Sequence, residues 1–336
     1  MRMLVGGVAI ACAMALGVGC SGVIGSGGGG GPDGGAASLA FTSPTSGASF
    51  MRGHHSALTG AMVAQVPIAI DEHGDLARVA IVAGKSSLGD VDATGALASE
   101  VDATGTVTLT ATGYDATGAV IATATVDITI ADLPDTDCHG WLDRYEVPYM
   151  VGPKSDGVVD PITVMGPVNG VPYRYLGNTS PRAMFFMDCR LALSLAKAAP
   201  ILRARDVVEV EDIGVYNYRC INNDGTPPNC NVGMSEHAYA MAIDFGAFKT
   251  KDGGLYTVQT DFVIDPKTEP TCTAATEPGK DAWLHETICA LKHDKIWNIV
   301  LTPNYNDLHR DHFHVDLTPG SDYIRFTGAN AGNGDE

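Results

Sequence analysis

Basic residues are scarce in this 336-residue chain: 21 Lys and Arg stand against 39 Asp and Glu, a formal net charge of −18. A nucleic-acid partner needs clustered cations to neutralise phosphates, and no basic patch is written here, so no such partner is expected. Long apolar runs are missing too. Beyond residue 20 none approaches the roughly 20 residues that a helix needs to cross a bilayer. Cys-x-x-Cys spacing is absent, which argues against a cysteine metal site. There is also no βαβ rhythm of the kind that builds a parallel sheet. What is present is a 45% hydrophobic fraction, enough for sizeable cores, and a length that suggests two domains rather than one.

The first residues read as an export signal. Arg2 supplies the positive start, Leu4 to Val18 is apolar and short, and Gly17-Val18-Gly19-Cys20 resembles a bacterial lipobox. Leu16 sits four residues before the cysteine, where the usual pattern has leucine three before. The expectation is a signal peptide over residues 1–20, lipidation at Cys20, and an exported protein held to a membrane by that anchor, periplasmic or cell-surface. Residues 21–38 are dominated by Gly and Ser and read as a flexible tether.

Residues 39–133 alternate as strands do, at Val66-Pro67-Ile68-Ala69-Ile70, Val79 to Val82, Val107 to Thr110 and Val120 to Ile130. Polar turns such as Asp115-Ala116-Thr117-Gly118 separate them. Short strands with no helical stretch predict an all-β sandwich, similar to the immunoglobulin-like modules of bacterial surface proteins. His54-His55 admits a metal pair, with a solvated loop pair as the stronger reading. Leu133-Pro134-Asp135 reads as the boundary.

Beyond it the texture turns to α+β. Ser180 as N-cap and Pro181 at the first helical position predict a helix to Ala199. A second helix is predicted over Asp281 to Lys292, and strands over Ile296 to Leu301 and Phe313 to Leu317. Six cysteines fall here: Cys138, Cys189, Cys220, Cys230, Cys272 and Cys289. An even number in an exported domain reads as disulfides, and sequence alone leaves the connectivity open. Nearness along the chain favours Cys220–Cys230 and Cys272–Cys289, leaving Cys138–Cys189.

Two tight clusters carry the chemistry. The first is Ser235-Glu236-His237 with Ala242-Ile243-Asp244; the second runs His309-Arg310-Asp311-His312-Phe313-His314-Val315-Asp316. Side chains alternate along a strand, so His312, His314 and Asp316 share one face and Phe313, Val315 and Leu317 the other. Two imidazoles and a carboxylate on one face suit a metal or proton transfer, the competing reading being a partly exposed polar face.

Ser-x-His-x6-Asp followed far downstream by His-x-His resembles the zinc D-Ala-D-Ala carboxypeptidase, murein endopeptidase and Hedgehog superfamily. The chain resembles more closely still the bacterial extensin-like C-terminal domain family. Tyr218-Arg219-Cys220, Phe248, Asp252-Gly253, Cys289 and Asn304-Tyr305 support this, over Cys138 to near Phe326. The resemblance implies a zinc peptidase-like domain over residues 138–330 with a central antiparallel sheet. It implies one zinc per chain on His237, Asp244 and His314, with His312 as catalytic base and His309 as a further catalytic histidine. It places Arg219 against a substrate carboxylate, and Ser235 and Asp316 behind the ligands. The implied partner is peptidoglycan or its wall peptides, cleaved as a D,D-carboxypeptidase or endopeptidase would. The alternative is a module that holds zinc and binds wall fragments without cutting them. Where the family motif has glycine three residues after the first histidine, this chain has Ala240; if that position needs positive φ, alanine is costly there.

Overall fold

The structure is a computed structural model that describes residues 36–265 and 271–325. Cys20 and the tether's first residues therefore lie outside the described residues. The chain is mostly strand and divides into two compact units.

The first unit holds β1 (Ser38–Ser43), β2 (Ser49–Arg52), most of β4 (Met62–His73), β5 (Arg78–Ala83), β6 (Ser86–Asp90), β7 (Ala96–Val101), β8 (Gly105–Tyr114) and β9 (Val120–Asp132); the two residues of β3 (His54–His55) belong to the second. One sheet pairs β4 with β1 and β7; the other runs β2-β9-β8-β5-β6. Every second residue of β8 from Val107 is buried, as is Val126, Ile128 and Ile130 of β9, which is the alternation read in the sequence. The β8–β9 hairpin closes on Asp115, whose Oδ1 accepts from the N–H groups of Thr117 and Ala119 at 2.8 and 2.9 Å. Asp92 makes the same turn at an identical Asp-Ala-Thr-Gly.

Residues 52–64 interrupt this unit and go with the second. Two interactions hold them there. Asn169 is buried and donates from Nδ2 to the carbonyls of Gly60 and Ala196, at 2.7 and 2.8 Å. The Arg203 guanidinium donates to the carbonyls of Ala57 and Leu58. His55 hydrogen-bonds Asn169 and so helps to fix this segment, whereas His54 is exposed.

The second unit contains α1 (Cys138–Arg144), β10 (Tyr149–Val151), β11 (Pro161–Val164), β12 (Tyr173–Tyr175), β13 (Phe185–Asp188), α2 (Cys189–Arg203), β14 (Val207–Gly214), β15 (Ala242–Thr250), β16 (Leu255–Thr257), α3 (Val258–Asp261), α4 (Lys280–His293), β17 (Ile299–Leu301), β18 (Phe313–Asp316) and β19 (Tyr323–Arg325). Its main sheet runs β12-β14-β15-β18-β17-β19, with β16 also on β15. The central pairings are antiparallel as expected, and the outer pairs β12–β14 and β17–β19 are parallel. Leu191, Leu195 and Leu202 of α2 and Leu284, Ile288 and Leu291 of α4 share one core with Ile243, Phe245, Phe313 and Val315 of the sheet.

The helix expected from Pro181 begins later, at Cys189. Phe185 to Asp188 instead pair with β11, and Asp188 takes over as N-cap, accepting from Arg190 N–H at 3.1 Å. The helix runs through Pro200. Proline has no N–H to give the carbonyl four residues earlier, which is Ala196; the Asn169 amide fills that place. α4 spans Lys280–His293, close to the expected limits. The disulfides pair Cys138–Cys189, Cys220–Cys230 and Cys272–Cys289, the nearest-neighbour arrangement.

Candidate metal centre and active site

The sheet brings the two sequence clusters together by register. Asp244 of β15 lies directly across from His314 of β18. Their neighbours Ile243, Phe245, Phe313 and Val315 point into the core, so both polar side chains emerge on the opposite face. His237 arrives from a short 3-10 turn, Glu236–Tyr239, just before β15. Ser235 caps that turn, its Oγ accepting from His237 N–H at 3.3 Å; it thus fixes the backbone rather than the ring. The turn ends at Ala240, which is fully buried with φ 53°. This is the left-handed conformation that the family's glycine would enter without strain.

Three atoms converge. His237 Nε2 lies 3.2 Å from Asp244 Oδ1 and 3.2 Å from His314 Nδ1, and the last two are 2.9 Å apart. The far nitrogens decide what these atoms are. His237 Nδ1 donates to the Val215 carbonyl at 2.7 Å, and His314 Nε2 donates to the Asp316 carboxylate at 3.0 Å. Each ring, when neutral, therefore turns a lone pair inward, alongside a carboxylate oxygen. Three acceptors this close repel one another unless a cation or a proton sits among them. Tetrahedral zinc with ligands at about 2.0–2.1 Å separates its ligand atoms by about 3.3 Å, and two imidazoles with one carboxylate leave a fourth position open. The donor set fits that ion.

Charge at the centre follows from the same contacts. Burial disfavours an imidazolium at His314, but the Asp244 and Asp316 carboxylates outweigh it and push the ring up to about 10. Burial would likewise raise Asp244; the imidazoles of His237, His314 and His312 instead hold it well below the usual carboxylate range. Asp316 is fully buried, and its second oxygen accepts from Thr318 N–H at 2.9 Å. Behind the turn, burial first and then the charge of Asp316 raise Glu236 to about 7.

His312 lies just before β18, with Nε2 3.5 Å from Asp244 Oδ1. Its Nδ1 meets Asp311 Oδ1 at 2.7 Å, so Nδ1–H donates to the Asp311 carboxylate, which leaves the Nε2 lone pair free to act as a base. His309 is buried, 1% exposed, with its ring 5.1 Å from that of His312 and Nδ1 bonded to Asn306 Oδ1 at 2.7 Å. Its ring also lies 5.9 Å from that of His314, and it is not among the residues that line the cleft. The cleft, of about 400 Å³, is lined by His237, Asp244, His312 and His314 together with Arg219, Asn222, Asn223 and Leu308.

Of the sequence candidates, His237, Asp244, His312, His314 and Arg219 line this cleft, and Ser235, His309 and Asp316 contact those residues from beside it; His54, His55 and the Cys138–Cys189 and Cys272–Cys289 disulfides are not among its lining. Asp311, the Val215 carbonyl, Asn306 and the asparagine pair were not foreseen. Asp311 had a signal, a carboxylate beside a candidate base; the Val215 carbonyl had none, since every residue carries one. Two other groupings with ligand-like spacing, His139/Asp160/Cys189 and Cys220/Asp224/Cys230, each use cysteines that are already in disulfides.

A sequence profile described as "Extensin-like protein C-terminus" matches residues 158–325. No curated protein matches the chain. Among solved structures, similarity is found to fibronectin(III)-like modules of Clostridium thermocellum CbhA, at 15% identity over 29% of this chain and 99% of that one, TM-score 0.23. Apo β-glucuronidase 3 of Bacteroides uniformis is 12% identical over 38% of this chain and 15% of its own, TM-score 0.21. The Bacteroides ovatus mixed-linkage glucan utilization locus protein SGBP-B, solved with a mixed-linkage heptasaccharide, is 10% identical over 65% and 45%, TM-score 0.22. Scores this low add nothing to the architecture described above.

Proposed function

The chain belongs to the extensin-like protein C-terminus family, matched over residues 158–325, and from that premise we propose that its second unit is a zinc-dependent peptidase acting on peptidoglycan stem or cross-link peptides. One observation carries the reading: three inward-facing acceptors at 2.9–3.2 Å with a carboxylate-oriented imidazole beside them. His237, Asp244 and His314 hold the metal. Zinc supplies Lewis acidity and makes water more acidic at the open position. His312 Nε2 then accepts the proton of the attacking water and returns it to the leaving amine, as a general base and acid does. Asp311 keeps that ring in the productive tautomer and steadies it when charged. Arg219, on the cleft wall, offers a cation to a substrate carboxylate. His309, held by Asn306, backs the His312 ring. Asp316 and Val215 fix the two ligand imidazoles.

The placement proposed is exported and lipid-anchored through Cys20, with the first unit an immunoglobulin-like module. The test is made on the mature chain and its His314→Ala and His312→Ala variants. Metal is measured by mass spectrometry, and purified peptidoglycan is digested and its products weighed. His314→Ala is expected to lose the zinc. His312→Ala is expected to keep it and to lose about 100- to 10,000-fold in rate. Equal zinc in wild type and His314→Ala would overturn the metal assignment. No product from wild type on any wall peptide would overturn the peptidase.

A further inference from the structure

We propose that Asn222 and Asn223 form a peptide-backbone recognition wall that selects what enters the cleft; the proposal rests on the peptidase reading. Both residues line the same cleft as His237, Asp244, His312 and His314. They stand consecutively at φ 53° and 54°. Left-handed backbone is strained for most side chains and open to glycine and asparagine. Were the turn's shape all that mattered, glycine would suffice. Asparagine adds a carboxamide at each position, and both residues are exposed, with no side-chain partner among the described residues.

The loop that carries them is fixed at several points. The Cys220–Cys230 disulfide closes it, Ile221 N–H donates to the Gly233 carbonyl at 3.0 Å, and Val232 N–H donates to Asp224 Oδ2 at 2.6 Å. The backbone that carries the carboxamides is therefore fixed before any ligand arrives, which limits the ordering cost of binding to the two side chains. A carboxamide presents one acceptor and a pair of donors, the complement of a peptide bond's N–H and C=O. It carries no charge, so it reads backbone, while Arg219 on the same wall reads an anion. Leu308, 66% exposed, also lines the cleft and adds an apolar surface to it. Amide and carboxylate recognition together describe a short peptide with a free carboxylate, its backbone bonded to the asparagine carboxamides.

The test uses glycine substitutions, because glycine keeps the left-handed backbone and removes only the carboxamide. Asn222→Gly, Asn223→Gly and the double variant are assayed as full chains with zinc, on an N-acetylated stem peptide ending in D-alanine. A second ligand has one amide near the C-terminus replaced by an ester. Expected is unchanged zinc content, an unchanged melting temperature, kcat within about 2-fold, and KM raised about 3- to 10-fold per residue, the worth of a neutral hydrogen bond. The ester should lose that factor in wild type and not again in the glycine variant, which is the coupling that a contact predicts. A KM unchanged in the double variant, or ester and substitution effects that simply add, would overturn the proposal while leaving the peptidase intact. If wild type cuts no wall peptide, the peptidase reading fails separately. The wall is then tested by calorimetric binding of the same peptides to the zinc-loaded protein, and absence of binding to wild type would overturn it too.

Discussion

The converging acceptors make metal binding a competition with a proton, and its size can be worked out. With His314 pushed up to about 10, the metal-free centre at pH 7 is filled by an imidazolium proton shared toward Asp244. Zinc takes only the deprotonated ring. Removing that proton at pH 7 costs about three pH units, roughly 4 kcal/mol at 1.36 kcal/mol per unit. Apparent zinc affinity is therefore expected to rise about tenfold per pH unit from 6.5 to 8.5, with close to one proton released per zinc from His314. Calorimetry in two buffers of different ionisation enthalpy counts the proton, and competition against a chromophoric chelator gives the affinity. Asp316→Asn sharpens the test. It removes one of the two carboxylates that raise His314, so the proton competes less well and the pH slope flattens. It also removes charged support for the ligand ring, which weakens binding about 10- to 100-fold where no proton competes. The gap between variant and wild type should thus widen as pH rises. A pH-independent affinity in wild type, or no proton released at pH 7, would refute the reasoning.

Two further outcomes concern stability. Asn169→Ala strips the partner from the Gly60 and Ala196 carbonyls together and should cost about 2–4 kcal/mol in urea unfolding, whereas a cost under about 0.5 kcal/mol would mean that water replaces the amide. Glu236 has a folded pKa of about 7 against an ordinary 4.5. The folded state then binds the proton more tightly than the unfolded one, so stability falls as pH rises from about 4.5 to 7. Glu236→Gln in metal-free protein should match wild type near pH 4 and exceed it at pH 8 by on the order of 1–2 kcal/mol, after allowance for solvent screening; identical pH curves would refute the shift.

Much of the second unit could be read from local pattern. His314 and Asp316 announce a common strand face because residues two apart share one, and Phe313 and Val315 confirm it by filling the core. That Asp244 would sit beside His314, some 70 positions away, could not be read from spacing; only family resemblance brought them together. Ser180-Pro181 is a sound helix start, yet the apolar stretch from Phe185 pairs better as a strand against β11, and tertiary pairing overrode the local signal. Residues 52–64 carry no compositional mark of belonging elsewhere. Their anchor, Asn169, is a single polar residue more than a hundred positions downstream. For His309 the family resemblance implies a catalytic histidine, and the structure adds what no spacing shows: it is buried, with its ring against those of both His312 and His314. Ala240 was flagged from the motif alone, and its φ of 53° is the strain that the motif implied.

The pairing of Asp244 with His314 has a bearing on how the chain reaches its native state. Sliding β15 past β18 by one residue would set Asp244 opposite Phe313 or Val315 and turn a carboxylate or an imidazole toward the core. No such misalignment can assemble the donor set, so metal added during refolding rewards a single alignment of the central strands. An ion bound for chemistry would then also act as a proofreader, draining misaligned sheets toward the native one. A chain refolded with zinc should collect in that state more completely than one refolded in chelator.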